Sequence, residues 1–313
     1  MTLLRFDDRV AVITGGGRGL GRAYAELLGG LGAKVVVNDL GVSMAGDGTD
    51  EDPAADTVAA IKAAGGQAVI NRDTVATAEG GKAIIGQALD AYGRIDILIH
   101  NAGNVRRSPL AEMTAETFRA VLDVHLIGGF NVVQPAFAAM SKAGYGRIIL
   151  TTSIGGLYGN YDVANYSASK AGLIGLSHTA ALEGMACGVK SNVIVPSAVT
   201  RMSEGVDTSK FPPLGPEFVA PAVGWLAHEA CTMSGEMLVA LGGRIAKAYI
   251  AETRGTWQPT WSIDEVNARM SDITDASEPW VFPIVPTEED GPHGFLKHLG
   301  ASFAMANEGA AAK

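Results

Sequence analysis

A chain of 313 residues with 47% hydrophobic side chains and 40 glycines can bury a sizeable core, as one large domain or two modest ones. Its net charge of −9, from 24 basic and 33 acidic residues, argues against a nucleic-acid or anionic-membrane surface. The two cysteines, Cys187 and Cys231, show neither metal spacing nor a disulfide framework and read as small buried thiols of a reducing compartment. The first nine residues carry charge where a signal peptide needs an apolar core. No segment reads as both apolar and long enough to span a bilayer, so the expected place is the cytoplasm, with no membrane partner.

Val10-Ala11-Val12-Ile13-Thr14 reads as a strand buried on both faces. It enters Gly15-Gly16-Gly17-Arg18-Gly19-Leu20-Gly21, and an amphipathic helix is expected to about residue 31. Strand, glycine-rich turn and helix together make a dinucleotide site. The glycines permit the tight turn and let a pyrophosphate approach backbone N–H groups at a helix N-terminus. The second strand, 34–39, ends in Asp39. That carboxylate can accept both ribose hydroxyls and repel a 2′-phosphate, which selects NAD over NADP. Arg18 pulls the other way, because an arginine in this loop can meet a 2′-phosphate; the strand-end position of Asp39 carries more weight. Away from a cofactor, Asp39 reads as a surface helix cap.

Residues 41–52 form an acidic, glycine-rich stretch that does not match a calcium loop, so a solvated loop and no metal are expected. Helix 53–64 and strand 67–71 follow. Asp73 can accept a hydrogen bond from an adenine amino group, or simply form a turn. Helix 77–92 leads to strand 95–99 and then Asn101-Ala102-Gly103. These small residues let a cofactor ribose lie against backbone, with Asn101 bracing the turn. Arg106 and Arg107 are either a plain surface pair or contacts for the phosphates of an anionic substrate carrier. A long helix is predicted over 115–140, with His125 inside it.

Strand 147–152 ends at Ser153, and Tyr166 and Lys170 lie one helical turn apart on a shared face. A hydroxyl, a phenol and an ammonium around one small volume suit proton transfer at an alcohol or carbonyl oxygen. The ammonium is expected to favour the phenolate and draw the phenol's pKa towards working pH. Strand 189–195 ends in Pro196-Ser197-Ala198-Val199-Thr200, where Thr200 can bond a nicotinamide carboxamide. Residues 202–215 read as a mobile substrate lid, followed by helix 216–227 and strand 235–241.

Alternating strands and helices predict an α/β, Rossmann-type doubly wound parallel sheet with helices on both faces and ligand at the strand carboxyl ends. Residues 1–245 form that dinucleotide-binding and catalytic domain. Composition shifts beyond it: residues 246–313 hold Trp257, Trp261 and Trp280. They read as a C-terminal extension packed on the domain or on a partner subunit. Ser262-Ile263-Asp264-Glu265 is a capping-box helix start, and 307–313 reads as unstructured.

Thr14-Gly15, Gly19, Gly21, Asn101-Ala102-Gly103, Ser153, Tyr166, Lys170, Pro196 and Thr200 occur in an order that resembles the short-chain dehydrogenase/reductase family over about residues 5–245. The resemblance implies an NAD-dependent enzyme interconverting a secondary alcohol and a ketone. Tyr166 would be its proton donor or acceptor, Ser153 the partner on the substrate oxygen, and Lys170 the pKa shifter and ribose ligand. Val35-Val36-Val37-Asn38-Asp39-Leu40-Gly41 and Tyr158-Gly159-Asn160 look like the (3R)-hydroxyacyl-CoA dehydrogenase modules of the multifunctional-enzyme subgroup, which implies an acyl-CoA thioester as substrate. A steroid or other bulky free alcohol is the alternative substrate. A non-catalytic nucleotide-binding scaffold is the alternative of another class. His125 stands where most of the family has asparagine, as in that subgroup; it is either a proton-relay group or a satisfied structural histidine. Pro196-Ser197 replaces the usual Pro-Gly. A homodimer or homotetramer is implied by the same likeness.

Overall fold

Short β-branched runs and amphipathic segments alternate along the first 250 residues, and each becomes the element its pattern favours. The computed structural model describes residues 3–42, 52–198, 214–286 and 291–311. In order these are β1 (Val10–Thr14), α1 (Gly19–Gly30), β2 (Lys34–Asn38), α2 (Pro53–Ala63), β3 (Gln67–Asn71), α3 (Ala78–Tyr92) and β4 (Ile97–His100). Then come α4 (Ala115–Leu122), a π-turn (Asp123–Ile127), α5 (Gly128–Ala143), β5 (Gly146–Thr151), α6 (Ile154–Tyr158), α7 (Ala164–Gly184) and β6 (Val189–Ser197). The elements α8 (Ala220–Ala227), β7 (Met237–Leu241) and β8 (Arg244–Ala248) follow.

The eight strands form one sheet in the order β3-β2-β1-β4-β5-β6-β7-β8, and every pairing from β3 to β7 is parallel. From β1 the chain goes outward to β2 and β3, then returns to the other side of β1 for β4. That reversal opens a cleft at the carboxyl ends of β1 and β4, where ligands of such sheets bind. Alternate strand residues feed two cores. Ala11, Ile13, Val35, Ile97 and Ile149 meet α1, α2 and α8, while Val10, Val12, Val36, Leu98 and Ile148 meet α3, α5 and α7. Gly242 and Gly243, both at positive φ, form the two-residue turn from β7 to β8.

Three expectations change within residues 1–247. The helix predicted over 115–140 is α4, the π-turn and α5, because the backbone opens around His125. The span Ala115–Ala143 is also long and apolar enough to cross a membrane by length and composition, contrary to the sequence reading. Here it buries Val121, Val132, Val133, Ala136 and Met140 within the fold, as a core helix does. Of the thiols, Cys231 is buried but Cys187 is only half-buried, at the end of the turn after α7.

The chain divides into two compact units, Met1–Lys247 and Ala248–Lys313. In the second, Glu252 and Trp280 form an antiparallel bridge, with backbone bonds of 3.1 and 2.7 Å. Short helices α9 (Ile263–Ala268) and α10 (Met270–Ile273) precede α11 (Gly294–Ala311). Ser262 and Glu265 cap α9 reciprocally, as a capping box does. Helix α11 runs through 307–311, which the sequence reading left without structure; its run of alanines there has the highest helix propensity.

Candidate active site

The glycine turn is shaped by close backbone approach. A Cβ on Gly21 would lie 2.0 Å from the Gly15 carbonyl oxygen. Gly15 itself has φ +63, and a Cβ there would lie 2.9 Å from the Ala102 Cα. Asn101 braces the junction, donating through Nδ2 to the Gly15 carbonyl at 3.2 Å. Helix α1 starts at Gly19 directly after Arg18, with no side-chain cap and no acidic residue in its first turn. Its first N–H groups therefore suit an anion. Asp39 is no helix cap: its Oδ2 accepts from the Gly17 N–H at 3.0 Å and its Oδ1 from the Gly41 N–H at 2.9 Å. The carboxylate is thus held against the glycine turn.

Asp73 is exposed, and its Oδ2 accepts from Asn71 Nδ2 at 2.7 Å. The same Asn71 amide reaches Gln87, while Asn38 donates to Asn71 and to the Asp73 carbonyl. An amide network at the ends of β2 and β3 thus sets Asp73 in place.

Tyr166 and Lys170 project from α7 towards the end of β5, and Ser153 caps α6 by accepting from the Gly155 N–H at 3.1 Å. The sequence offered these residues as one stretch. Gly159, at φ +72, ends α6, and α7 begins afresh at Ala164. Helix α6 seats on α7 at Gly156, where a Cβ would come within 2.7 Å of the Lys170 Cβ. Asn165, fully buried, pins the start of α7 by donating to the carbonyls of Arg106 (2.9 Å) and Thr117 (3.3 Å).

Tyr166 and Ser153 face the same cavity. Burial pushes the Tyr166 phenol above its ordinary value, and the Ser153 hydroxyl opposes the rise. The expected downward pull from Lys170 is not what the structure shows. The Lys170 ammonium lies 5.5 Å from the phenol ring centroid and donates to the Thr151 carbonyl at 2.6 Å. Its own value is lowered from 10.5 to about 7, because burial penalises the charge. A cavity of about 210 Å³ joins these groups to the cofactor turn; Leu20, Asn101, His125, Thr151, Ser153, Tyr166, Lys170 and Pro196–Ala198 line it.

His125 sits in this wall, 1% exposed, its ring edge-on to Tyr166 at 5.2 Å between centroids. Its Nε2 lies 2.8 Å from the Asn104 carbonyl oxygen and 3.1 Å from the Asn104 backbone nitrogen, and among the described residues its Nδ1 is buried without a partner. Burial and the nearby Lys170 hold the ring well below the ordinary imidazole value. Gly103 is glycine for this ring: a Cβ would lie 2.2 Å from His125 Cε1. Arg106 is half-buried and Arg107 exposed, and neither lines the cavity. Thr200 and nearly all of the expected lid, 202–215, lie outside the described residues. Sequence reasoning passed over Asn104, Asn165 and His100. Their only signal was a polar side chain in an apolar setting.

A family model described as short chain dehydrogenase matches residues 9–210, more than half of the chain. The chain belongs to the short-chain dehydrogenase family. It is therefore an oxidoreductase, and the family's cofactors are nicotinamide dinucleotides. It is 43% identical over 281 residues to the peroxisomal multifunctional enzyme type 2 of Drosophila melanogaster, covering 88% of this chain and 46% of that protein. The full-length structure of that enzyme superposes with a TM-score of 0.77 at 34% identity, covering 97% of this chain and 50% of the other. The chain thus spans about half the length of that relative. A short chain dehydrogenase from Mycobacterium avium matches at a TM-score of 0.75 and 36% identity, covering 86% of this chain and 95% of that one.

The residues present fit a dinucleotide of this family. The cradle at Gly15 and Gly21 admits no Cβ, the first turn of α1 offers N–H donors, and Asp39 stands at the end of β2 beside Gly17. Gly19, Leu20, Asn101, Ala102, Tyr166, Lys170 and Pro196 would complete the holding set.

Proposed function

We propose that this protein uses NAD to oxidise a secondary alcohol, a (3R)-hydroxyacyl-CoA, to the 3-oxoacyl-CoA. The observation that carries the reading is one cavity lined by Ser153, Tyr166 and the buried Lys170 that reaches the glycine turn at Leu20 and Asn101. When bound, the nicotinamide supplies the hydride-accepting chemistry. Tyr166 Oη takes the hydroxyl proton and Ser153 Oγ holds the same substrate oxygen. Tyr166 accepts that proton as the phenolate and ends as the neutral phenol; before the transfer Lys170, anchored by the Thr151 carbonyl, offers its positive charge to that phenolate. His125 serves the proton path through its unpartnered Nδ1.

Asp39 supports NAD over NADP, because a 2′-phosphate would meet a carboxylate held by two backbone amides. Asp39→Ala is expected to narrow the preference for NAD about tenfold; an unchanged ratio would remove Asp39 from that role. The acyl-CoA substrate rests on the subgroup likeness and on Arg106 and Arg107 following the cofactor turn. A panel of 3-hydroxyacyl-CoA thioesters and free bulky alcohols, followed by NADH absorbance, tests it. Replacing both arginines by alanine should weaken thioester use more than free-alcohol use. Equal loss on both would retire the arginines as phosphate contacts. The same reading includes self-association as a homodimer or homotetramer, checked by light scattering, and a cytoplasmic location, checked by fractionation.

A further inference from the structure

His100 is the last residue of β4, 1% exposed, and the chemistry above makes no use of it. Its neighbours fix which ring nitrogen carries hydrogen. Thr14, its cross-strand partner at the end of β1, accepts at Oγ1 from the N–H groups of Asn101 and Ala102, both at 3.1 Å. A hydroxyl has two acceptor positions and one proton. The Thr14 O–H therefore donates to His100 Nδ1, 3.0 Å away. The ring hydrogen then sits on Nε2 and donates to the His125 carbonyl at 2.9 Å. That carbonyl belongs to the π-turn and also accepts from the Gly128 N–H, so the ring takes its second acceptor position. Room for the ring comes from α5: a Cβ on Gly129 would stand 3.3 Å from His100 Cδ2.

We infer that His100 is a positioning residue, tying the π-turn to the strand end and so setting the His125 ring over Gly103 and beside Tyr166. One directional chain of donors then runs from the Asn101 and Ala102 amides, through Thr14 and His100, to the backbone of His125. The turn expected to hold the cofactor and the histidine of the proton path are thereby coupled. This rests on the reading of His125 in the proposed function.

Asparagine and glutamine separate the two halves of the ring. His100→Asn keeps an acceptor for Thr14 near Nδ1 and loses the donor to His125; His100→Gln carries an amide donor at the longer reach. His100→Asn is expected to lower kcat about tenfold with the NADH Kd changed less than about twofold, and His100→Gln to recover most of the loss. In a His125→Ala background, His100→Asn should add nothing further. Equal defects in the Asn and Gln variants, or a full additional loss in that background, would overturn the inference. A His125→Ala enzyme at undiminished kcat removes the reading of His125, and this inference with it. A slow His125→Ala beside a full-speed His100→Asn removes this inference alone. Should the variants fold poorly, ¹⁵N spectra of the histidine-labelled wild-type protein decide. A bare Nδ1 and protonated Nε2 on His100 are expected, and the opposite tautomer would break the chain.

Discussion

The two ends of the same parallel sheet treat polar groups in opposite ways. At the amino end, Asp96 is 1% exposed yet accepts from the Val10 N–H at 2.9 Å and from both Arg94 (2.6 and 2.9 Å) and Arg9 (3.4 Å). The Tyr145 ring is flanked by the guanidinium groups of Arg9 at 4.0 Å and Arg147 at 4.5 Å, and Arg147 donates to the carbonyls of Gly146, His228 and Glu229. At the carboxyl end, among the described residues, Lys170 is buried without a carboxylate in contact, and both His125 Nδ1 and Thr151 Oγ1 are buried without a partner. Completed pairing holds strands together. Buried groups short of partners, with pKa values displaced by burial, are poised for a ligand.

The sharpest break in that comparison comes from Tyr166→Phe, which should lower kcat about 10³-fold while leaving NADH affinity and melting temperature near wild type. Retained turnover would mean that the carboxyl-end phenol is not the proton carrier. The converse change is Asp96→Ala, which strips a buried carboxylate from its cations. It should cost about 3 kcal/mol in urea unfolding, with kcat/KM of the folded protein unchanged. A selective activity loss would erase the division of labour between the ends.

Acid should also act through the carboxyl end. The His100 value is lowered from 6.5 to about 4 by burial, with Lys170 adding to the effect. The folded protein therefore favours the neutral ring. The stability this contributes is present above pH 6.5 and is lost as pH falls from 6.5 towards 4, by about 3 kcal/mol. Urea unfolding at pH 7.5, 5.5 and 4.5 on wild type and His100→Gln measures it; parallel slopes would assign the acid loss elsewhere. The smallest expected effect is that of Gly103→Ala. Its Cβ must displace the His125 ring, at about 2 kcal/mol of stability, and kcat should fall with it. An unaltered kcat would show that the ring's seat does not matter to turnover.

Much of this was legible in local pattern. The β-branched run at Val10–Thr14 and the glycines of 15–21 each carry their structure in a few neighbouring residues. Tyr166 and Lys170 do the same through the four-residue spacing of one helix face. His100 and Asn165 were not legible, because nothing in a window around them says which carbonyl they will meet. Their partners lie 25 and 59 positions away. The interruption around His125 was hidden for the same reason. The sequence there reads as uninterrupted helix, and the His100 ring that meets the His125 carbonyl comes from a strand 25 positions away.

By itself the amino-acid order determined the alternation of strands and helices, the glycine turn and the phenol–ammonium pair, since each depends on sterics and periodicity over one or two turns. Tertiary structure alone decided that Thr14, His100 and His125 form one donor chain, and that burial, rather than the neighbouring ammonium, dominates the Tyr166 phenol. Long-range hydrogen bonds and desolvation depend on which surfaces the folded sheet brings together, and no stretch of sequence contains that information.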